Sequence, residues 1–314
     1  MLPFLMPYHQ PPIWNFYAEW LAIALGVAVA ASALANRTTP HFYQASWCLF
    51  SFAVLLFLQA ASGILAYPQQ ALFGIFYVLY GLLMISAGAG LGRDHGLERA
   101  TSVVAACLLA GALLNAVSGI IQFHGRPALL DEWVTEYRET RAYGNIAQAN
   151  LYANYIALGT ISLLLLWMRL SLRTGYALAC AAVLAYASAL SGSRAALLYA
   201  LWPIALVLIA PPIAAHGRGL RMGAYALASI VVFAHAMLPS LQGAISETAR
   251  NENALQRILQ PAGLGGDPRW EIWGVAWRIF TQAPLTGVGL GEFPSAAFNS
   301  GLSVEASGYG NIWS

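Results

Sequence analysis

The sequence predicts an all-α fold: a polytopic transmembrane helical bundle of about eight spans, with a periplasmic loop that contains an amphipathic helix. Three observations carry this. Of the 314 residues, 59% are hydrophobic and only 9% charged, where soluble domains carry roughly 25% charged residues. The apolar residues come in runs long enough to cross the ~30 Å hydrocarbon layer, which takes about 20 residues. The arginines lie mainly between those runs.

Taken in order, the runs predict spans at 16–35, 46–66, 71–91, 101–121, 148–168, 176–191, 195–213 and 223–240. The sixth and seventh are short and separated only by "SGSR", as a tight hairpin or one broken unit. The opening "MLPFLMPYHQ" has no basic segment and no small-residue cleavage site, so it is not a signal peptide. It reads as the end of a membrane segment followed by a polar turn. The bundle is expected to occupy residues 1–240, with an outer loop at about 122–147, and residues 241–314 to begin a large periplasmic loop.

Arginines in short loops orient such a bundle. Arg37, Arg93, Arg99, Arg169, Arg173, Arg218 and Arg221 fall in one alternating set of loops, which is therefore cytoplasmic. The 122–147 loop and the segment after 240 then face outside, in the periplasm of a Gram-negative cell. Yet they carry Arg126, Arg138 and Arg141, and Arg250, Arg257, Arg269 and Arg278. Outer positive charge runs against the usual bias and invites an anionic ligand.

The net charge of +2 is too small for a nucleic-acid partner. All fifteen basic residues are arginine, the better fork for phosphate. Cys48, Cys107 and Cys180 each lie in an apolar run, without disulfide or metal spacing. The six histidines are scattered and no pair has ligand spacing, so no metal is expected.

Three stretches carry candidate chemistry. In "RAYGNIAQANLYANYIALG" (141–159), Asn145 and Gln148 have the spacing of a capping box. Asn150 and Asn154, four apart, share a helix face one to two turns into an apolar helix, where polar residues face a bundle interior or a wet cavity. Amide-mediated helix packing is the alternative. In "SALSGSRAALL", Arg194 sits at the membrane boundary between serines and helix, either snorkelling to headgroups or facing a diphosphate. In "GGDPRWEIWGVAWRIFTQAPLTGVGLGEFP" (265–294), Trp270, Trp273, Trp277 and Phe280 recur at helical spacing, an aromatic stripe suited to the membrane interface. The "GVGLG" that follows lacks the βαβ setting of a dinucleotide site and reads as a turn.

Together these stretches resemble the bacterial O-antigen ligase and O-linked protein oligosaccharyltransferase superfamily. "YHQPPIWNFYAEWLA" looks like the signature of the protein-glycosylating branch. "RAYGNIAQANLYANYIALG" looks like the R-x-x-G-N-x-x-Q-x-N segment, with Ala149 where proline is commoner. "SGSRAALL" resembles the serine–arginine step, and "RWEIWGVAWRIFTQAPLTGVGLGEF" the R-W…G-x-G-x-F segment. The resemblance implies transfer of a glycan from undecaprenyl diphosphate to an acceptor hydroxyl on the periplasmic face of the inner membrane, without a cofactor. By motif position, Arg269 is implied as a catalytic diphosphate arginine, with Arg141 or Arg194 as a second, and Gln148 and Asn150 as lining residues. The implied partners are the lipid-linked glycan, membrane lipids and an acceptor, protein or lipid A core.

The family's histidine–asparagine segment, expected after the G-x-G-x-F stretch, has no counterpart before Ser314. The expectation is a truncated chain, inactive alone. Rival readings are an O-antigen polymerase, a polytopic transporter or flippase, and a non-catalytic remnant.

Overall fold

The computed structural model describes residues 1–9, 15–35, 44–63, 65, 67–136, 141–170, 172–209, 218–245 and 269–299. Among these there is no strand. The helices are α1 (Phe16–Ala35), α2 (Gln44–Ala61), α3 (Pro68–His95), α4 (Leu97–His124), α5 (Ala149–Leu170), α6 (Thr174–Leu190), α7 (Arg194–Ile209), α8 (Arg218–Ile245), α9 (Arg269–Gln282) and α10 (Phe293–Asn299). All eight predicted spans fall on α1–α8. Over Pro68–His95, Leu97–His124, Ala149–Arg169 and Gly219–Leu238 the helices are long and apolar enough to cross a membrane. The apolar stretches of the other four are shorter. The expected all-α membrane bundle is what the chain forms.

Two boundaries differ from expectation, and one open alternative is resolved. The arginine loop at 92–100 is no loop: α3 runs to His95, α4 begins at Leu97, and only Gly96, at φ 81°, interrupts the helix. "SGSR" is a hairpin turn, closed by Gly192 at φ 56° and by the Ser193 N–H donating to Ser191 Oγ. The first residues form no spanning tail but a four-residue 3-10 turn, Leu2–Leu5, with an extended Met6 after it.

The chain divides into two compact units. The first comprises Met1–Ala24 and His95–Gln260, the second Leu25–Asp94 and Pro261–Ser314. In the first, α4 and α5 pack closely because small residues meet large ones. A Cβ on Gly119 would lie 2.2 Å from the Tyr152 hydroxyl, one on Gly111 2.1 Å from that of Tyr155, and one on Gly159 2.2 Å from Ala112. The pair is antiparallel. At one end Arg169 of α5 donates to Thr101 Oγ1 (2.6 Å) and to the Glu98 carbonyl (3.1 Å) at the start of α4. Tyr152, Ile156, Leu163, Leu184, Leu190 and Leu238 are fully buried between α4, α5, α6 and α8, whereas Val103, Val104, Leu198 and Trp202 are exposed. Large apolar residues outside suit a surface in contact with lipid.

The second unit contains α2, α3, α9 and α10. Val275 and Ile279 of α9 are buried against Ala297 and Phe293 of α10. The turn between these two helices is held to the α2–α3 turn, as described below.

Candidate functional site

One end of the first unit gathers the C-terminal end of α4, the loop 125–148, the start of α5 and the α6–α7 turn. Buried carboxamides of α4 build it. Gln122, 2% exposed, accepts through Oε1 from the N–H groups of Tyr143 (3.1 Å) and Gly144 (3.0 Å). Its Nε2 donates to the Thr135 carbonyl at 2.9 Å. Asn115, one face up the same helix, accepts from the Asn145 N–H at 3.3 Å and donates to the Phe4 carbonyl at 2.9 Å. Buried backbone groups of a loop need partners, and here side chains of a spanning helix supply them.

Asn145 extends this network. Its Nδ2 donates to the carbonyls of Trp133 (2.8 Å) and Leu5 (3.0 Å), and its Oδ1 accepts from the Thr135 N–H at 3.1 Å. Its own carbonyl meets His9 Nε2 at 2.9 Å. Residues 1–9 are thereby fastened along the α4–α5 end, with Phe4 stacked on Tyr155 at 4.6 Å.

The loop so fixed delivers Arg141 to the α6–α7 turn. The Ala142 N–H donates to the Leu190 carbonyl at 3.0 Å, setting the register. Arg141 Nε donates to the Ser191 carbonyl at 3.0 Å and Nη2 to Asn150 Oδ1 at 3.4 Å. The same Asn150 oxygen accepts from Ser193 Oγ at 3.0 Å. Ser193 immediately precedes Arg194, the first residue of α7, and Asn150 is the second residue of α5. Two helix N-termini, each carrying about half a positive charge, therefore meet beside the Arg141 guanidinium, with Arg194 as the first residue of α7. Arg141, Asn150 and Arg194 are half-buried, so the corner is partly desolvated. Oriented N–H groups and arginines of this kind favour an anion, above all a phosphate.

The remaining sequence candidates are distributed differently. Gln148 is exposed and is itself the N-cap of α5, its Oε1 accepting from the Leu151 N–H at 2.7 Å. The expected Asn145–Gln148 capping box is thus not formed, because Asn145 lies in the 3-10 turn Gly144–Ile146 and is engaged elsewhere. Asn154 is exposed: positions four apart drift about 40° around a helix, enough to carry it out of the cluster. Tyr152 is fully buried under Gly119 and Gly144, away from any rim. Arg126 is occupied within its own loop by Asp131 at 2.9 Å and by the Val134 carbonyl. Arg138, Glu139, Arg250 and Arg257 lie outside the described residues.

Sequence reasoning missed Asn115 and Gln122, which sit in a run read only as apolar. A signal was there. Gly111, Asn115, Gly119 and Gln122 fall on one helical face, and carboxamides at that depth face protein rather than lipid.

In the second unit Arg269 opens α9; its side chain is outside the description. The "GVGLG" stretch is a docked turn. Gln59 Nε2 donates to the Thr286 carbonyl at 2.9 Å, and the buried Glu292 accepts from the Tyr67 N–H at 2.8 Å. Gly289 (φ 106°) and Gly291 (φ 80°) adopt backbone that other residues avoid. A Cβ on either would collide with Leu65 or Gln70. Among the described residues no three His, Cys, Asp or Glu side chains come together to hold a metal.

A family profile described as O-antigen ligase matches residues 178–312, from the α6–α7 hairpin through the docked turn. This match supports the resemblance to the O-antigen ligase and O-oligosaccharyltransferase superfamily. A general O-oligosaccharyltransferase of Acinetobacter baylyi is 25% identical over 302 residues, 95% of this chain and 52% of that protein. The chain thus spans about half the length of this curated superfamily relative. No solved structure matches it.

Proposed function

We propose that the protein takes part in en bloc transfer of a glycan from an undecaprenyl diphosphate carrier to an acceptor hydroxyl at the periplasmic face of the bacterial inner membrane. Serine or threonine of a protein is the favoured acceptor over lipid A core. The observation that carries this reading is the corner formed by Arg141, Asn150, Ser193 and Arg194 at the N-termini of α5 and α7.

In such a transfer the acceptor oxygen bonds to the anomeric carbon of the glycan. The bond from that carbon to the diphosphate oxygen breaks, and its electron pair stays with the leaving group. The hydroxyl proton passes to a base. Negative charge grows on the diphosphate, and preorganised donors in a poorly hydrated site stabilise it most. Guanidinium groups are assigned this role rather than a metal, with Arg269 carried over from the superfamily motif as a further diphosphate arginine.

A second feature supports a lipid-linked donor. A shallow apolar groove, with enclosed room of only about 20 Å3, lies between α5, α6, α7 and α8, lined by Ile156, Thr160, Ser188, Tyr199, Pro203 and Val231 among others. Ile156 is six residues from Asn150, about 9 Å along the helix, so a prenyl chain lying against the outside of this groove would have its diphosphate near the polar corner. The N-terminal stretch "HQPPIWNFYAEW" favours a protein acceptor.

The test is glycan transfer by the complete gene product in a host that makes lipid-linked glycan, at matched membrane abundance. Arg141→Ala is expected to lower transfer about 100-fold, the loss typical of one charge-stabilising donor. Unchanged transfer at equal abundance would remove the corner from the mechanism.

A further inference from the structure

Helix α9 carries an aromatic group that packing leaves uncovered among the described residues. Trp270, Trp273, Trp277 and Phe280 are between 50% and 65% exposed, and they form one face. Trp270 and Trp273 lie edge to face at 5.1 Å, and Trp277 and Phe280 are tilted by 33° at 5.5 Å. The opposite face, Val275 and Ile279, is the one buried against α10. Folding of this unit therefore uses one side of the helix and leaves the aromatic side outward. Arg278, Thr281 and Gln282, all exposed, occupy a flank between the two faces.

The position of that face follows from the docked turn. Gln282 is four residues from Thr286, a reach of at most about 14 Å, and Thr286 is hydrogen-bonded to Gln59 near the end of α2. Glu292 is bonded to the residue before α3, and α3 is long and apolar enough to span the membrane. The end of a spanning helix marks the membrane boundary, so α9 is held at that level. The same level carries exposed apolar side chains on the hairpin itself: Phe57 and Leu58 on α2, Leu72, Phe73 and Phe76 on α3. Tryptophan is enriched at this depth because its ring is apolar and its N–H stays hydrated.

We propose that α9 is an in-plane membrane anchor, its aromatic face inserted at the headgroup–acyl boundary of the phospholipid leaflet beside the α2–α3 turn. The Gly289–Gly291 turn is the joint that fixes the helix to the hairpin. This inference stands apart from glycan transfer; joined to that reading, it sets the start of α9, and Arg269, at headgroup level.

The test uses the full chain in nanodiscs of phosphatidylcholine and phosphatidylglycerol, with Cys48, Cys107 and Cys180 replaced by alanine. Nitroxide labels are placed in turn at Trp273→Cys, Trp277→Cys and Gln282→Cys. Collision with oxygen, which partitions into lipid, is compared with collision with a water-soluble nickel chelate. The oxygen-to-nickel ratio is expected to be several-fold higher at 273 and 277 than at 282. Equal ratios with strong nickel collision mean that water covers the face, and weak collision with both means that protein does. Either result overturns the anchor. If the cysteine-free chain does not fold, quenching of native tryptophan fluorescence by brominated lipid reads the same contact. The quenched fraction should then fall in a Trp273→Phe, Trp277→Phe double variant, and an unchanged fraction overturns the proposal.

Discussion

Replacing Gln122 by leucine tests how the arginine-bearing loop is held. The two side chains are close in volume, so the change removes polarity and little packing. It strands the N–H groups of Tyr143 and Gly144, now bonded to Gln122 Oε1 at 3.1 and 3.0 Å, in a site where Gln122 is 2% exposed. A buried donor left without a partner costs about 1–3 kcal/mol, so the pair costs about 2–6 kcal/mol. Domain stabilities are about 5–15 kcal/mol, so the loop should open locally before the bundle unfolds. A free energy of 2 kcal/mol corresponds to about a 30-fold change in an opening equilibrium. Hydrogen–deuterium exchange of the 141–148 segment in nanodiscs should therefore speed up at least about 30-fold, with little change in the α5 interior. Transfer by the complete gene product should fall with it, because Arg141 is two residues from Tyr143. Asn154→Ala, on an exposed position, serves as the unaffected control. Exchange within about 3-fold of the native rate would mean an opening cost under about 1 kcal/mol, and the positioning argument would be wrong.

Three further outcomes are expected. Gln148→Ala should lower thermal stability by about 1 kcal/mol through loss of the α5 cap, and Gln148→Asn should restore it; failure of asparagine to rescue would return Gln148 to the ligand-lining role. Tyr152→Phe should be neutral or stabilising by about 1 kcal/mol, since the buried hydroxyl has no hydrogen-bond partner among the described residues. Thermal unfolding checks this, and a loss of more than about 1 kcal/mol would mean that the hydroxyl is bonded. Ala147, at φ 59°, sits in left-handed backbone that costs a non-glycine residue about 1–2 kcal/mol. Ala147→Gly should raise the melting temperature, and a decrease would show that the half-buried methyl group outweighs the strain.

Much of the bundle was legible because its determinants are local. Apolar runs of the right length fix eight helices whatever their neighbours are, and the predicted ends fall within a few residues of those found, except where Gly96 joins α3 and α4 without a loop. Glycine at positive φ makes that junction possible, and a single glycine between two long helices gives little warning of it. That Arg141 and Asn150 lie at one helix mouth was also legible, because polar residues at the mouth of apolar helices have few places to go. Their exact partners were not. Asn145 and Gln148 have capping-box spacing, yet the chain makes Gln148 the cap, because Trp133, Leu5 and Thr135 claim Asn145 from segments ten to 140 residues away.

The sequence by itself determined which segments leave water, and that polar and cationic groups gather at the ends of a few of them, since burial of apolar area and helix length are properties of each run alone. The tertiary structure decided which amide caps a helix, which holds a loop and which meets Arg141. Those assignments rest on hydrogen bonds of about 3 Å between distant segments, and only the folded chain sets such distances.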